Sequence, residues 1–245
     1  MQTMRQFLRR TYFYLVTVPN LFRLHEMSFL RKHLKIRNED RILDVACGIG
    51  VYADFLSTKA QYVFAFDLSL DNIVIADRIR MDNAFFYCGN AEEISHPDSS
   101  FDIVVSICAI EHFMDSSKAL KEMKRILKPG GQLLITVDSL ENINSREFIE
   151  FHRKFCHVQK YFTIETIRRE LEDVGFEIKV LKPLLTSFLS SVICRWAFKI
   201  MKWPFLFILY SLLAYPLSVI SDGFSLRRNS GLTIAAYAVK PKITA

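Results

Sequence analysis

From Arg41 to Val137 the sequence alternates short β-rich runs with helical patterns, and that alternation leaves few architectures open. Strands are expected at Arg41–Val45, Tyr62–Asp67, Ala84–Tyr87, Phe101–Ile107 and Gln132–Val137. Helices are expected between them at Val51–Lys59, Leu70–Arg80 and Asp115–Leu127, the last stopped by Pro129-Gly130-Gly131. Strands separated by helices pair in parallel under a helical cover. A further helix, Thr163–Val174, opens on Thr163 with Glu165 in its first turn and closes on Gly175. Two more strands, Phe176–Leu181 and Leu232–Val239, bring the expected number to seven in an α/β, doubly wound sheet. At 245 residues, 51% hydrophobic and 24% charged, the chain is neither disordered, collagen-like nor a multispan transporter.

Two strand ends carry the candidate chemistry. The first strand runs through Asp44-Val45-Ala46-Cys47-Gly48-Ile49-Gly50 directly into a helix. Glycines at such a turn let a ligand approach the backbone and leave helix N–H groups free for it. Gly48-x-Gly50-x-x-Ala53 also passes as a dinucleotide fingerprint, and a tight turn without a ligand would read the same. The second strand ends at Asp67, 23 residues beyond Asp44. In a doubly wound sheet these ends are neighbours, and an acid there accepts both hydroxyls of a ribose; a solvated strand-end Asp is the plainer alternative.

Four blocks in order then resemble the class I S-adenosylmethionine-dependent methyltransferases, in particular the small-molecule, ubiquinone-methyltransferase-like group. They are Ile42–Gly50; Asp67-Leu68-Ser69; Gly89–Glu93 with Pro97–Ser106; and Glu111-His112 through Arg125–Gly131. The resemblance covers about residues 40–140, and a nicotinamide reading explains neither the third nor the fourth block. It implies a Rossmann-like sheet whose last strand is antiparallel, and S-adenosyl-L-methionine as cofactor. Under it, the turn around Ala46, Gly48 and Gly50 would hold the methionine end, with Asp44 orienting its ammonium. Asp67 would bind the ribose hydroxyls, Leu68 would pack on the adenine, and Asn90-Ala91 would meet the adenine edge. Ile107 would line the methionine tail. The family usually carries Asp where this chain has Asn90, and an amide makes a weaker contact with an exocyclic amine.

Methyl transfer needs alignment and a dry pocket, and a base only where the acceptor must lose a proton. His112 and Glu111, just after the fourth strand, are the candidates, with a loop-positioning role as the alternative. No metal is expected: His152, Cys156 and His157 lack a fourth ligand nearby and read as helix surface. Nucleic acid is not expected as acceptor, because Ser106-Ile107-Cys108-Ala109-Ile110-Glu111 stands where base-methylating enzymes carry Asp/Asn-Pro-Pro-aromatic.

Charge divides the chain in three. Residues 1–41 hold nine Lys/Arg against three Asp/Glu, residues 182–245 hold eight against Asp222 alone, and the middle is net acidic. Basic ends suggest a polyanionic partner, here an anionic membrane surface. Leu184–Ser221 contains only Arg195, Lys199 and Lys202 as charges, and Trp203–Ser221 contains none. A single membrane crossing would separate the last strand from its sheet, and Pro204 and Pro216 interrupt the run. The expectation is therefore an interfacial helical hairpin, Leu185–Met201 and Phe205–Ile220, with Trp196 and Trp203 as anchors. The N-terminal aromatic and basic residues (Arg5, Phe7, Arg9, Arg10, Tyr12, Phe13, Tyr14, Phe22, Arg23) fit the same setting. Five cysteines without a CxxC pair indicate a reducing, cytoplasmic compartment, and the N-terminus reads as mature rather than a secretory signal.

The expected organisation is a helical cap at 1–40, a methyltransferase domain at 41–183 and 231–245, and an apolar insertion at 184–230. The function that follows is methyl transfer to a lipophilic small molecule by a peripheral membrane enzyme. The alternatives are a soluble metabolite methyltransferase whose insertion is a lid or homodimer interface, and a non-enzymatic cofactor-binding scaffold.

Overall fold

The computed structural model describes residues 20–78, 81–226 and 229–242. The elements are α1 (Leu21–His33), β1 (Arg41–Val45), α2 (Val51–Ser57), β2 (Tyr62–Asp67), α3 (Leu70–Asp77), β3 (Ala84–Cys88), β4 (Phe101–Ile107), α4 (Ser116–Ile126) and β5 (Leu127–Asp138). There follow α5 (Arg146–Cys156), α6 (Ile164–Val174), β6 (Glu177–Leu184), α7 (Phe188–Ile200), α8 (Pro204–Gly223) and β7 (Thr233–Val239). Local chemistry sets the helix starts. Asp115 caps α4 through the Lys118 N–H at 2.9 Å, Ser145 caps α5 through Phe148, and Thr163 and Thr166 cap α6 reciprocally.

The seven strands form one sheet in the order β3-β2-β1-β4-β5-β7-β6, with β7 antiparallel to both neighbours. β1, β2 and β4 have the expected limits. β5 starts earlier than expected, at Leu127, because the Pro129–Gly131 stretch is held in the sheet: Gly130 N–H donates to Lys240 O at 2.8 Å and Lys240 N–H to Gly131 O at 2.9 Å. Both sheet faces are covered. Leu43, Val104, Leu120, Met123, Ile167 and Leu171 form the core on one side, and Leu30, Ile42, Phe55, Leu56, Val63 and Ile103 on the other. The two later sequence blocks are largely structural clamps. The Arg125 guanidinium donates to Glu122, Asp98 and the His96 and Ile94 carbonyls, and the Lys128 ammonium to Asp102.

The apolar insertion is an antiparallel helix pair, α7–α8, packed on α1. Pro204 occupies the first turn of α8, where its missing N–H costs nothing, whereas Pro216 lies inside a continuous helix and does not interrupt it. The pair is closed at its base: Asp222 Oδ1 accepts from Ser187 N–H at 2.9 Å and from Ser190 Oγ at 2.7 Å. Asn142 Nδ2 donates to Thr186 O at 2.7 Å, and Ser230 Oγ to Asn142 Oδ1 at 2.9 Å. Both ends of the insertion thus stay beside the sheet. Of the N-terminal basic and aromatic group, only Phe22 and Arg23 fall within the described residues.

Gly50 is the position where backbone geometry is most constraining. Its φ is +83°, and a Cβ there would come within 3.0 Å of Ala76 Cβ and 3.1 Å of the Phe86 ring. Gly50→Ala should lower unfolding free energy by about 2–4 kcal/mol, from the left-handed backbone and the overpacking together. Urea unfolding followed by circular dichroism checks this; an unchanged midpoint would refute it.

Candidate functional site: a cavity at the carboxyl ends of β1, β2 and β4

The sheet reverses direction of winding at β1, whose neighbours are β2 and β4. The connections leave these strands toward opposite faces, so a crevice opens at their carboxyl ends. A cavity of about 610 Å³ lies there, within the range of small-ligand sites. Asp44, Ala46, Gly48, Asp67, Leu68, Ile107 and His112 line it. Three of its residues hold positive φ without being glycine: Ala46 (56°), Cys108 (45°) and His157 (56°). Such strain persists only where surrounding structure imposes it, and it gathers at binding sites.

The two carboxylates differ in state. Asp67 is hydrogen-bonded on both oxygens: Gly48 N–H donates to Oδ2 at 2.8 Å, and Ser69 N–H to Oδ1 at 2.9 Å, with Asn72 Nδ2 at 3.2 Å. Its remaining lone pairs are free to accept from a diol. Asp44 is 1% exposed and its Oδ2 has no partner. Burial, and secondly the nearby Asp67 charge, push its carboxyl up to about 8. The two glycines also divide their work. A Cβ on Gly48 would meet nothing within 4 Å, so this is where a ligand can approach the backbone, whereas Gly50 is tight packing and does not line the cavity.

Three other expected site residues do not line the cavity. Asn90 is exposed and its Oδ1 accepts from Glu92 N–H at 2.9 Å, closing its own loop, while Ala91 is buried in the core beneath. Glu111 is fully buried; its backbone carbonyl receives Gln159 and Lys160 N–H, which fixes the loop, and its Oε2 has no partner. His112 Nδ1 lies 3.3 Å from the His157 carbonyl oxygen. A carbonyl only accepts, so Nδ1 carries the proton and Nε2 keeps its lone pair. Burial lowers its pKa, leaving the imidazole neutral.

Sequence reasoning missed the contribution of α1. Asn20, Phe22, Arg23 and Glu26 line the cavity, and Tyr52 joins them from α2. Glu26 is 3% exposed; Oε2 accepts from the Tyr52 hydroxyl and Oε1 from Cys108 Sγ at 2.7 Å. A signal existed, since Glu26 is the one acid among the first 38 residues of an otherwise basic segment. Beneath the cavity, burial and then Glu26 push Asp138 up to about 7, and burial and then Asp138 push Glu111 up. Ligand-type atoms of Cys108, Glu111 and Asp138 lie within 4.8 Å of one another. His152 is not helix surface: it is 4% exposed, 2.9 Å from the Tyr161 hydroxyl and 3.6 Å from Asp138. Burial holds it at about 4, so its contact with Asp138 is not an ion pair at neutral pH. Periodicity could not reveal this, because the partner acid comes from a different strand.

The reversed β7 in this strand order, with a cavity at the β1–β4 divergence, defines the fold of class I methyltransferases. The profile of a family described as "Methyltransferase domain" matches residues 43–135, so this stretch of the chain is similar to S-adenosylmethionine-dependent methyltransferases. A Mycolicibacterium smegmatis protein named "Probable S-adenosylmethionine-dependent methyltransferase" is 33% identical over 127 residues, covering 49% of this chain and 48% of that one. A demethylmenaquinone methyltransferase of Chlorobaculum tepidum is 35% identical over 115 residues, covering 46% and 47%. The chain thus spans about half the length of the curated relatives it matches. Among solved structures, a phosphoethanolamine N-methyltransferase of Haemonchus contortus with S-adenosyl-L-methionine superposes with a TM-score of 0.69 at 22% identity, over 95% of this chain and 57% of that one.

S-adenosyl-L-methionine is the cofactor of this domain, and the cavity fits it. The orphaned Asp44 oxygen would accept from an ammonium, Gly48 leaves room for a ligand at the backbone, and Asp67 has lone pairs that a ribose could use. A cation beside Asp44 pulls its pKa back down, so cofactor binding at pH 7 should release a proton. Calorimetry with S-adenosylhomocysteine should then show an enthalpy that depends on buffer ionisation. Asp44→Asn should abolish that dependence and weaken binding by about 2 kcal/mol; the same buffer dependence in both proteins would contradict the assignment.

Proposed function

We propose that the protein transfers a methyl group from S-adenosyl-L-methionine to a lipid-like or lipid-linked small molecule at a membrane surface. The observation that carries the membrane part is the inverted character of α8. Its inward positions are Ser211, Ala214 and Ser218, all buried, while Phe205, Leu209, Leu212, Leu213, Leu217 and Ile220 are exposed. Only 17% of its most apolar stretch is buried. A helix that hides serines and shows leucines is unfavourable in water, where each large apolar side chain forgoes about 1.5–3 kcal/mol of burial. It suits the acyl boundary of a bilayer. With both ends of the pair held at the sheet by Asp222 and Asn142, the helices lie in the interface rather than cross it. Lys199 over Trp196 and Lys202 over Trp203, at 5.0 and 4.5 Å, place cations and indoles where headgroups would be.

α1 connects this surface to the cavity. His25 Nε2 meets Ser218 Oγ of α8 at 2.7 Å, while Phe22, Arg23 and Glu26 of the same helix, with its N-cap Asn20, line the cavity. An acceptor resting among lipids would reach the site past the start of α1. When bound, the cofactor supplies a methyl group on a sulfonium, transferred in line to a nucleophile. The chain's own part is to orient and exclude water, and, for a hydroxyl acceptor, to take its proton on His112 Nε2.

Two outcomes follow. The protein should pellet with anionic vesicles at low salt, and Leu213→Asp with Leu217→Asp should weaken that binding by roughly 30-fold or more. Wild-type protein left in the supernatant, with no label passing from radiolabelled cofactor into total lipid extract, would sink the reading; a detergent-free dimer using α8 would favour a soluble enzyme. Given a hydroxyl acceptor, kcat/KM should fall only below the ordinary histidine value of 6.5, because burial lowers the His112 pKa. His112→Asn should lose that limb and about 10²-fold or more in kcat; an unchanged profile would remove His112 as base.

A further inference from the structure

Outside the cofactor cavity the molecule has a second recess, of about 630 Å³, between α5 and α7. The two sites lie along one helix: Cys156 and His157, at the end of α5, line the cavity, while Phe148 and Phe151, nearer its start, line the groove. Phe198 anchors the floor, edge-on to Phe148 at 5.5 Å and to His152 at 5.1 Å. Phe151 stacks on Phe155 at 5.5 Å, yet 47% of Phe151 and 54% of Trp196 stay exposed. Arg195 and Lys199 also line the groove. They stand four residues apart on α7, hence on one face. Neither forms an ion pair among the described residues. The lone acid of the groove, Glu147, sits in the first turn of α5, where the helix dipole favours it, and Ser145 is committed to capping that helix.

An aromatic floor beneath two unpaired cations matches a ligand that is apolar and anionic at once. A free inorganic anion would leave the rings wet, and a purely apolar ligand would leave the cations unmatched. α7, which lines the groove, also packs on α8 through Ile193, Cys194 and Ala214. We propose that the α5–α7 groove binds the phosphate headgroup of an anionic membrane lipid, with Arg195 and Lys199 on the phosphate and Trp196 and Phe151 against its glycerol and upper acyl carbons. This rests on the membrane placement of α7–α8 and goes beyond it, because it names a site and a headgroup charge rather than a surface.

Tryptophan emission can test it directly, because Trp196 and Trp203 are the only tryptophans. In full-length Trp203→Phe protein, a soluble short-chain phosphatidylglycerol should shift Trp196 emission saturably. Arg195→Gln with Lys199→Gln should weaken that response by about 30-fold, at roughly 1 kcal/mol for each base. Short-chain phosphatidylcholine and inorganic phosphate should give little shift, and retained S-adenosylhomocysteine affinity shows that each variant is folded. An equal response in the double variant, an equal response to inorganic phosphate alone, or no response would each overturn the site. Vesicle pelleting of the wild type separates the two ideas: protein that pellets but lacks the Trp196 response keeps its membrane placement and loses the headgroup site.

Discussion

The structure turns on β1 being sandwiched between β2 and β4. Parallel pairing in both directions forces the connections that follow β1 and β4 to opposite faces of the sheet, and the gap between them cannot be filled by either. The candidate cofactor residues face that gap. Asp44 ends up dry because it stands at its floor, and Asp67 stands alongside because β2 is the next strand over. Burial, and then the nearby Asp67 charge, raise the Asp44 pKa, and its Oδ2 has no partner among the described residues, a cost that a cationic ligand would relieve.

Around this centre the chain adds two layers of different character. The α4–α6 side and the clamps of Arg125 and Lys128 are devoted to holding the sheet. The α1, α7 and α8 side is a small separate core of Leu21, Leu140, Leu185, Ile193, Ala214 and Leu232. Within it, α8 buries Ser211 and Ser218 and exposes Leu209, Leu212, Leu213 and Leu217. On the membrane reading proposed above, that inversion would face an apolar partner, and the return of β7 into the sheet would make the contact lateral rather than transmembrane.

The acid network beneath the cavity joins the two layers. Glu26 comes from α1, Cys108 and Glu111 from the loop after β4, and Asp138 from the end of β5. Glu111 and Asp138 are tolerable side by side because burial raises their pKa values, so that protons replace cations between them. The helix that contacts α8 therefore also reaches the floor of the site.

Much of the cofactor end was legible in the sequence by itself. The limits of β1, β2 and β4, the turn at Gly48, and the pairing of Asp44 with Asp67 follow from local periodicity and fixed spacing, which short-range physics dictates. The length and apolarity of the hairpin were legible too, but not the continuity of α8 through Pro216. Tertiary structure alone decided that Glu26 enters the cavity, that Asn90, Ala91 and Glu111 do not line it, and that His152 lies buried near Asp138. Each of those contacts joins residues far apart in the chain. Such proximity is a property of how layers pack, and no pattern within a single segment encodes it.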